Sequence, residues 1–176
     1  MKTSIKLSLL AIATVTLIAA GMYMISTGNT SKGSDKSAAE AIFAASFHDL
    51  QGKPQALSQW RGKILVVNFW ATWCPPCIAE IPEFIQAQKQ YGEQGVQFIG
   101  IAIDKKDKVQ TFAQDTGMNY PVLLSELDGM DLARQLGNAD SGLPFSVIID
   151  RNGKVVSTKL GKLSREKLEY LIKSLL

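Results

Sequence analysis

The stretch Ile64-Leu65-Val66-Val67-Asn68-Phe69-Trp70-Ala71-Thr72-Trp73-Cys74-Pro75-Pro76-Cys77 decides how the rest of the chain is read. Its first half is an apolar, β-branched run, which reads as a buried strand. Its second half holds the only two cysteines of the 176 residues. From Ile78 to Tyr91 the pattern turns helical, so the pair sits at a strand-to-helix junction. Two thiols separated by two residues can close a small disulfide ring and reopen it. Between strand and helix, a lone Cys-x-x-Cys is a redox arrangement rather than part of a network of staples.

Toward the N-terminus, Lys2 and Lys6 precede an uncharged apolar stretch from Leu7 to Ile25. As a helix it would rise about 28 Å, close to the roughly 30 Å hydrocarbon core of a bilayer. Residues 1–25 are therefore expected to be a signal anchor, or a signal peptide cut near Ala19-Ala20-Gly21. The length favours the anchor, and the absence of a following cysteine disfavours a lipoprotein. The two lysines keep this end in the cytoplasm, so the remainder would face the periplasm or cell exterior from a single membrane pass. Cleavage would leave a soluble exported protein instead. Residues 26–44, rich in Ser, Gly, Thr and Ala, read as a flexible tether. The domain expected over 45–176 is nearly charge-balanced, and the whole chain carries only +3. That gives no electrostatic case for nucleic acid. No Gly-x-Gly-x-x-Gly follows a strand, which disfavours a nicotinamide or flavin enzyme. No internal repeat is apparent.

Around the central stretch, Phe47–Leu50 and Gln55–Leu57 read as a small opening hairpin, with Ser58 capping a short turn. One active-site helix is expected from Cys74 to Tyr91, kinked at Pro82, whose ring removes the bond to the Ile78 carbonyl. A buried strand follows over Val96–Ile103, then a helix over Lys108–Thr116 ended by Gly117. Tyr120–Leu124 is a short strand and Met130–Leu136 a helix closed by Gly137. Phe145–Asp150 and Lys154–Lys159 pair across a tight Asn152-Gly153 turn with positive φ angles. Ser164 caps a last amphipathic helix carrying Leu168, Leu171, Ile172 and Leu175 on its apolar face. The fold class is α/β, a mixed sheet covered on both faces.

This order of elements, together with Asn68-Phe69-Trp70-Ala71-Thr72-Trp73-Cys74-Pro75-Pro76-Cys77 and with Gly142-Leu143-Pro144 before Ile148-Ile149-Asp150, resembles the TlpA/ResA-like family. These are exported, often membrane-anchored thiol–disulfide oxidoreductases of the thioredoxin superfamily. The resemblance spans about residues 45–176. It implies a thioredoxin-like fold with an N-terminal β-hairpin and a central strand-helix insertion, here near Lys108–Leu124. It also implies client protein disulfides as substrates, a membrane electron-donor protein as partner and cytochrome c maturation as a setting. No cofactor is implied beyond a redox-active Cys74–Cys77 disulfide.

The attacking species in disulfide exchange is a thiolate, whereas a free cysteine titrates near 8.5. Cys74 stands where the helix begins, so free N–H groups and the positive end of the helix dipole can hold its anion. Pro75 and Pro76 suit that first turn, where N–H groups have no intrahelical partner. Cys74 is thus the expected nucleophile and Cys77 the resolving thiol. A purely structural disulfide would be a poor staple, since so short a loop gives only about 2 kcal/mol. Half a zinc site is the other alternative, with only His48 to add. His48 is assigned no role.

Glu80, three residues after Cys77, is either a solvated helix charge or the group that takes the Cys77 proton. The family resemblance favours the second, since many members carry an acid there. Thioredoxins proper carry a buried aspartate where this chain has Asn68, which cannot accept a proton, so Glu80 is the remaining acid–base candidate. The resemblance further implies a cis bond at Leu143-Pro144 facing Cys74, with Leu143 offering its backbone to a bound client. Trp73 is expected to form an apolar collar that clients touch, and Trp70 to be core. A copper chaperone would want a wider cysteine spacing and a distal histidine. A thiol peroxidase would want Thr or Ser at position 71, which is Ala71. Both are the weaker readings.

Overall fold

The computed structural model describes residues 39–125 and 127–176. The expected anchor or signal segment, residues 1–25, lies outside them, as does most of the expected tether. Among the described residues no helix is long and apolar enough to cross a membrane.

A helix covering residues 39–44 (α1) leads into β1 (Ser46–Asp49) and β2 (Pro54–Ala56). A 3-10 turn, Leu57–Trp60, precedes β3 (Ile64–Trp70). Two helices follow, α2 (Pro75–Ile78) and α3 (Ile81–Tyr91), and then β4 (Val96–Ile103). Next come α4 (Lys106–Thr116), β5 (Val122–Ser125) and α5 (Leu127–Gln135). The chain closes with β6 (Phe145–Ile149), β7 (Val155–Leu160) and α6 (Arg165–Lys173).

The strands form one seven-stranded sheet in the order β2-β1-β5-β4-β3-β6-β7. Strands β3, β4 and β5 are parallel, whereas β6 runs antiparallel to β3 and β1 antiparallel to β5. Every residue of β3 is buried, as its unbroken apolar run requires of a strand covered on both faces. Alternation divides the strand. Leu65, Val67 and Phe69 join a core with Ile99, Ile101, Leu132 and Val147 on one side. Ile64 and Val66 join Phe84, Phe98, Leu168 and Ile172 on the other. This is the thioredoxin-like arrangement, with α4 and β5 as the inserted pair.

Four local expectations need correction. The tether does not extend to residue 44: residues 39–44 are helical, and Ile42 and Phe43 are buried in the core beside Leu132 and Val147. Composition hid this, because two large apolar residues among small ones are enough to dock a single turn. The single helix from Cys74 to Tyr91 is two, separated at Ala79–Glu80, so Pro82 breaks the helix rather than kinking it. Ser58 lies inside its 3-10 turn and makes no cap there; Ala56 is at the cap position. In the β6–β7 turn only Gly153 has positive φ, at 83°.

That last turn has a twin. In Asp150-Arg151-Asn152-Gly153-Lys154, the Asp150 carboxylate accepts from the N–H groups of Asn152 and Lys154, and Gly153 N–H donates to the Asp150 carbonyl. In Asp49-Leu50-Gln51-Gly52-Lys53 the same three bonds recur, from Gln51, Lys53 and Gly52 to Asp49. An Asp that clasps its own turn and a glycine in the left-handed region define both hairpins.

Replacing Ile42 by Ala is expected to cost about 2–5 kcal/mol in urea unfolding, the usual range for a fully buried aliphatic side chain. A tether residue would cost nothing, and that result would remove α1 from the fold.

Candidate active site

The site lies where β3 ends. Residues Ala71–Trp73 leave the strand, and Cys74 adopts an extended conformation (φ −100°, ψ 101°) as the N-cap of α2. Its carbonyl accepts from the N–H groups of Cys77 and Ile78, closing the first turn. Pro75 and Pro76 occupy that turn, where a missing N–H leaves no bond unmade. The cysteines are joined as a disulfide with Cα atoms 5.3 Å apart. Cys74 keeps 4 % of its surface and Cys77 none, so only Cys74 can be reached by an outside sulfur. Trp73 stands 63 % exposed beside it, with Ile78 also exposed, whereas Trp70 is fully buried. The surface around the accessible sulfur is therefore apolar.

Asp104, at the end of β4, holds the loop from below. Its carboxylate accepts from the Thr72 backbone N–H (3.1 Å), from the Thr72 hydroxyl and from Lys105 N–H (2.7 Å). Burial raises its carboxyl, but the Thr72 and Lys105 donors outweigh this and leave it below the ordinary value. Sequence reasoning passed over Asp104, although its place at the C-terminal end of a parallel strand was a usable signal.

The wall opposite the disulfide is Leu143-Pro144, joined by a cis peptide bond. Pro144 is buried, and Leu143 packs against the cluster that contains both cysteines. The approach to it is fixed by Asn138, a 1 % exposed side chain that was also missed. Its Nδ2 donates to the Gly142 carbonyl (2.9 Å) and its Oδ1 accepts from Gly142 N–H (3.1 Å). The Pro144 carbonyl accepts from Gly161 N–H at 2.8 Å, so the loop after β7 closes on the same wall.

Glu80 is not a solvated helix charge. It stands at the N-cap of α3, just after the break from α2, and is 0 % exposed. Asn68 Nδ2 donates to Oε1 at 2.8 Å, and Leu163 N–H donates to Oε2 at 2.8 Å. Its own N–H donates to the Cys77 carbonyl at 3.2 Å, which ties it to the inner cysteine. Burial pushes its carboxyl up from the ordinary 4.5 to about 7, although the two donors and the Lys162 charge pull the other way. The structure thus brings Cys74, Cys77, Glu80, Trp73, Leu143 and Pro144 to one end of the sheet. Ser146 and the Leu163 N–H were missed as partners. Among the described residues no group of three or more His, Cys, Asp or Glu could hold a metal ion, and His48 is exposed on β1, which β5 and β4 separate from β3.

A thioredoxin-like sheet with a redox-active disulfide at the start of a helix, a cis-proline wall and a buried carboxylate defines a protein thiol–disulfide oxidoreductase. The Redoxin family model matches residues 36–172. ResA thiol–disulfide oxidoreductases from Bacillus thuringiensis and Geobacillus kaustophilus are 35% and 33% identical over 128 residues, which is 72% of this chain and 72% and 71% of theirs. Among solved structures, a thiol:disulfide interchange protein of Chlorobium tepidum is similar at TM-score 0.69 and 32% identity, covering 74% of this chain and 92% of that one. A secreted disulfide oxidoreductase of Mycobacterium tuberculosis gives 0.64 and 26%, covering 77% and 98%. The chain belongs to the Redoxin family and is a TlpA/ResA-like thiol–disulfide oxidoreductase.

The raised Glu80 carboxyl fixes a pH dependence of stability. Between about 4.5, its ordinary value, and about 7 the folded state holds a proton that the unfolded state has lost. Stability therefore falls as pH rises through that window, by roughly 3 kcal/mol at most, and levels off above it. Urea midpoints of the oxidised protein should show this slope, and Glu80→Gln should flatten it. An undiminished slope in the variant would assign the titration to another group.

Proposed function

We propose that this oxidoreductase works outside the cytoplasm as a membrane-tethered reductant of client protein disulfides. The oxidised cysteines of c-type cytochrome haem-attachment motifs are the client class, and a membrane electron-donor protein restores the dithiol. The burial of Glu80 next to the inner cysteine is the observation that carries the mechanism. The charged, anchor-length N-terminus supports the tether, and the ResA relatives support the chemistry.

In the reduced protein, the Cys74 thiolate attacks one sulfur of the client disulfide. That bond breaks, the second client sulfur leaves as thiolate, and Cys74 is held in a mixed disulfide. Glu80, titrating near neutrality, takes the proton of Cys77. The Cys77 thiolate then attacks Cys74 Sγ, and the remaining client sulfur leaves. Two electrons have passed to the client, and the Cys74–Cys77 disulfide seen in the structure is the product. The extended client chain lies against Leu143-Pro144 under Trp73, which keeps water from the exchanging sulfurs.

Two measurements test this reading. Cys77→Ser, mixed with a peptide containing an oxidised Cys-x-x-Cys-His, should accumulate a Cys74 mixed disulfide visible by mass spectrometry, whereas wild type should not. A variant that forms no adduct would overturn the assignment of nucleophile and resolving thiol. The equilibrium potential against glutathione is expected below about −240 mV, and a value near −120 mV would make the protein an oxidant.

A further inference from the structure

Glu80 is linked through Asn68 to the strand that follows the Leu143-Pro144 wall. In the β3–β6 ladder Asn68 lies directly opposite Ser146, which places both side chains on one face of the sheet. Both are buried, at 2 % and 0 % exposure. Asn68 Nδ2 uses its two hydrogens on two acceptors, Glu80 Oε1 at 2.8 Å and Ser146 Oγ at 3.0 Å. Ser146 stands two residues after Pro144, the residue whose carbonyl takes the Gly161 N–H. Two residues beyond Gly161, Leu163 N–H reaches the other oxygen of Glu80. Pro144, Ser146, Asn68, Glu80, Leu163 and Gly161 thus close a ring of hydrogen bonds and short chain segments.

An amide has two faces of opposite polarity. With its NH2 toward Glu80, Asn68 supports the carboxylate. Turned over, its oxygen would face the carboxylate and favour the protonated acid instead. The hydroxyl of Ser146 receives the second N–H hydrogen. Without it that hydrogen would be buried with no acceptor, which costs more than an under-used carbonyl oxygen.

We propose that Ser146 is a positioning residue for thiol–disulfide exchange: from the strand that begins behind Pro144, its hydroxyl keeps the Asn68 NH2 turned toward Glu80. The proposal rests on Glu80 being the proton acceptor for Cys77. Other groups also face Glu80. Lys162 contributes a positive charge from the β7–α6 loop, and Tyr120 a buried phenol that stays protonated. Ser146→Ala changes none of them, so its effect reports on the amide.

The test is the pH profile of the rate at which the reduced protein reduces a disulfide-bonded peptide. Wild type should show an inflection near neutrality that Glu80→Gln abolishes. Ser146→Ala should move that inflection upward by about one pH unit, the scale of one lost hydrogen bond. Ser146→Thr, which keeps the hydroxyl, should restore it. An inflection unmoved in a folded Ser146→Ala protein overturns the proposal, and so does a shift that Ser146→Thr reproduces. If the inflection survives in Glu80→Gln, the assignment of Glu80 has failed instead. Should Ser146→Ala not fold, the side-chain amide resonances of Asn68 in the wild type decide. They must titrate with the Glu80 carboxyl midpoint, and amide signals flat across it overturn the proposal.

Discussion

A carboxylate removed from water loses solvation worth several kcal/mol unless other groups replace it. Glu80 has no exposed surface, and its replacement donors come from places distant in sequence. Asn68 arrives on β3, and the Leu163 N–H arrives on the loop that leads to α6. The replacement is incomplete: two donors and a nearby lysine do not offset burial, and the carboxyl is pushed up to about 7. A fully compensated carboxylate would stay ionised near neutrality, and an uncompensated one would stay protonated. The packing of β3, α3, β6 and the last loop around this group sets that middle position.

The helix break falls at Glu80. Residue 80 lies three positions after the fully buried Cys77, on the inward side of the chain. Pro82 has no N–H for the Ile78 carbonyl, and α2 ends at Ile78. The chain restarts with Glu80 at the cap, its carbonyl accepting from Glu83 and Phe84. The proline therefore isolates a single turn that presents Cys74 and leaves Glu80 at the cap of the next helix. The same logic of local backbone chemistry serving a distant contact recurs at Asn138, whose amide imitates a strand partner for Gly142 and so sets the entry to Leu143-Pro144.

Much of this was legible in the sequence, for physical reasons. The β-branched run of β3, the apolar run of β6 and the glycines at 117 and 137 each report a local requirement, and these strands and helix ends appeared within a few residues of their expected places. The cysteines were legible because a lone Cys-x-x-Cys at a strand–helix junction has few other uses. What escaped was non-local. Ser146 is an ordinary strand serine until the β3–β6 register sets it opposite Asn68. The Leu163 donor is a backbone N–H, which no residue type announces. The docking of Ile42 and Phe43 depends on a hydrophobic face built by residues up to Ile149, so composition alone assigned them to a tether.

The two Asp-clasped turns, at Asp49 and Asp150, have a consequence for how the molecule comes into being. Each holds its hairpin by bonds spanning at most four residues, so each can close as soon as its own few residues exist. The site is made the other way, by contacts whose partners lie 78 and 83 residues apart. Contacts that distant form late, because the intervening chain must first be ordered. A nascent chain thus presents its cysteine pair well before residue 163 is available to hold Glu80. In that interval it has both sulfurs without Glu80 seated among its donors. The complete donor set arrives only with residues 163–176, an ordering in time that follows from where the bonds are long and where they are short.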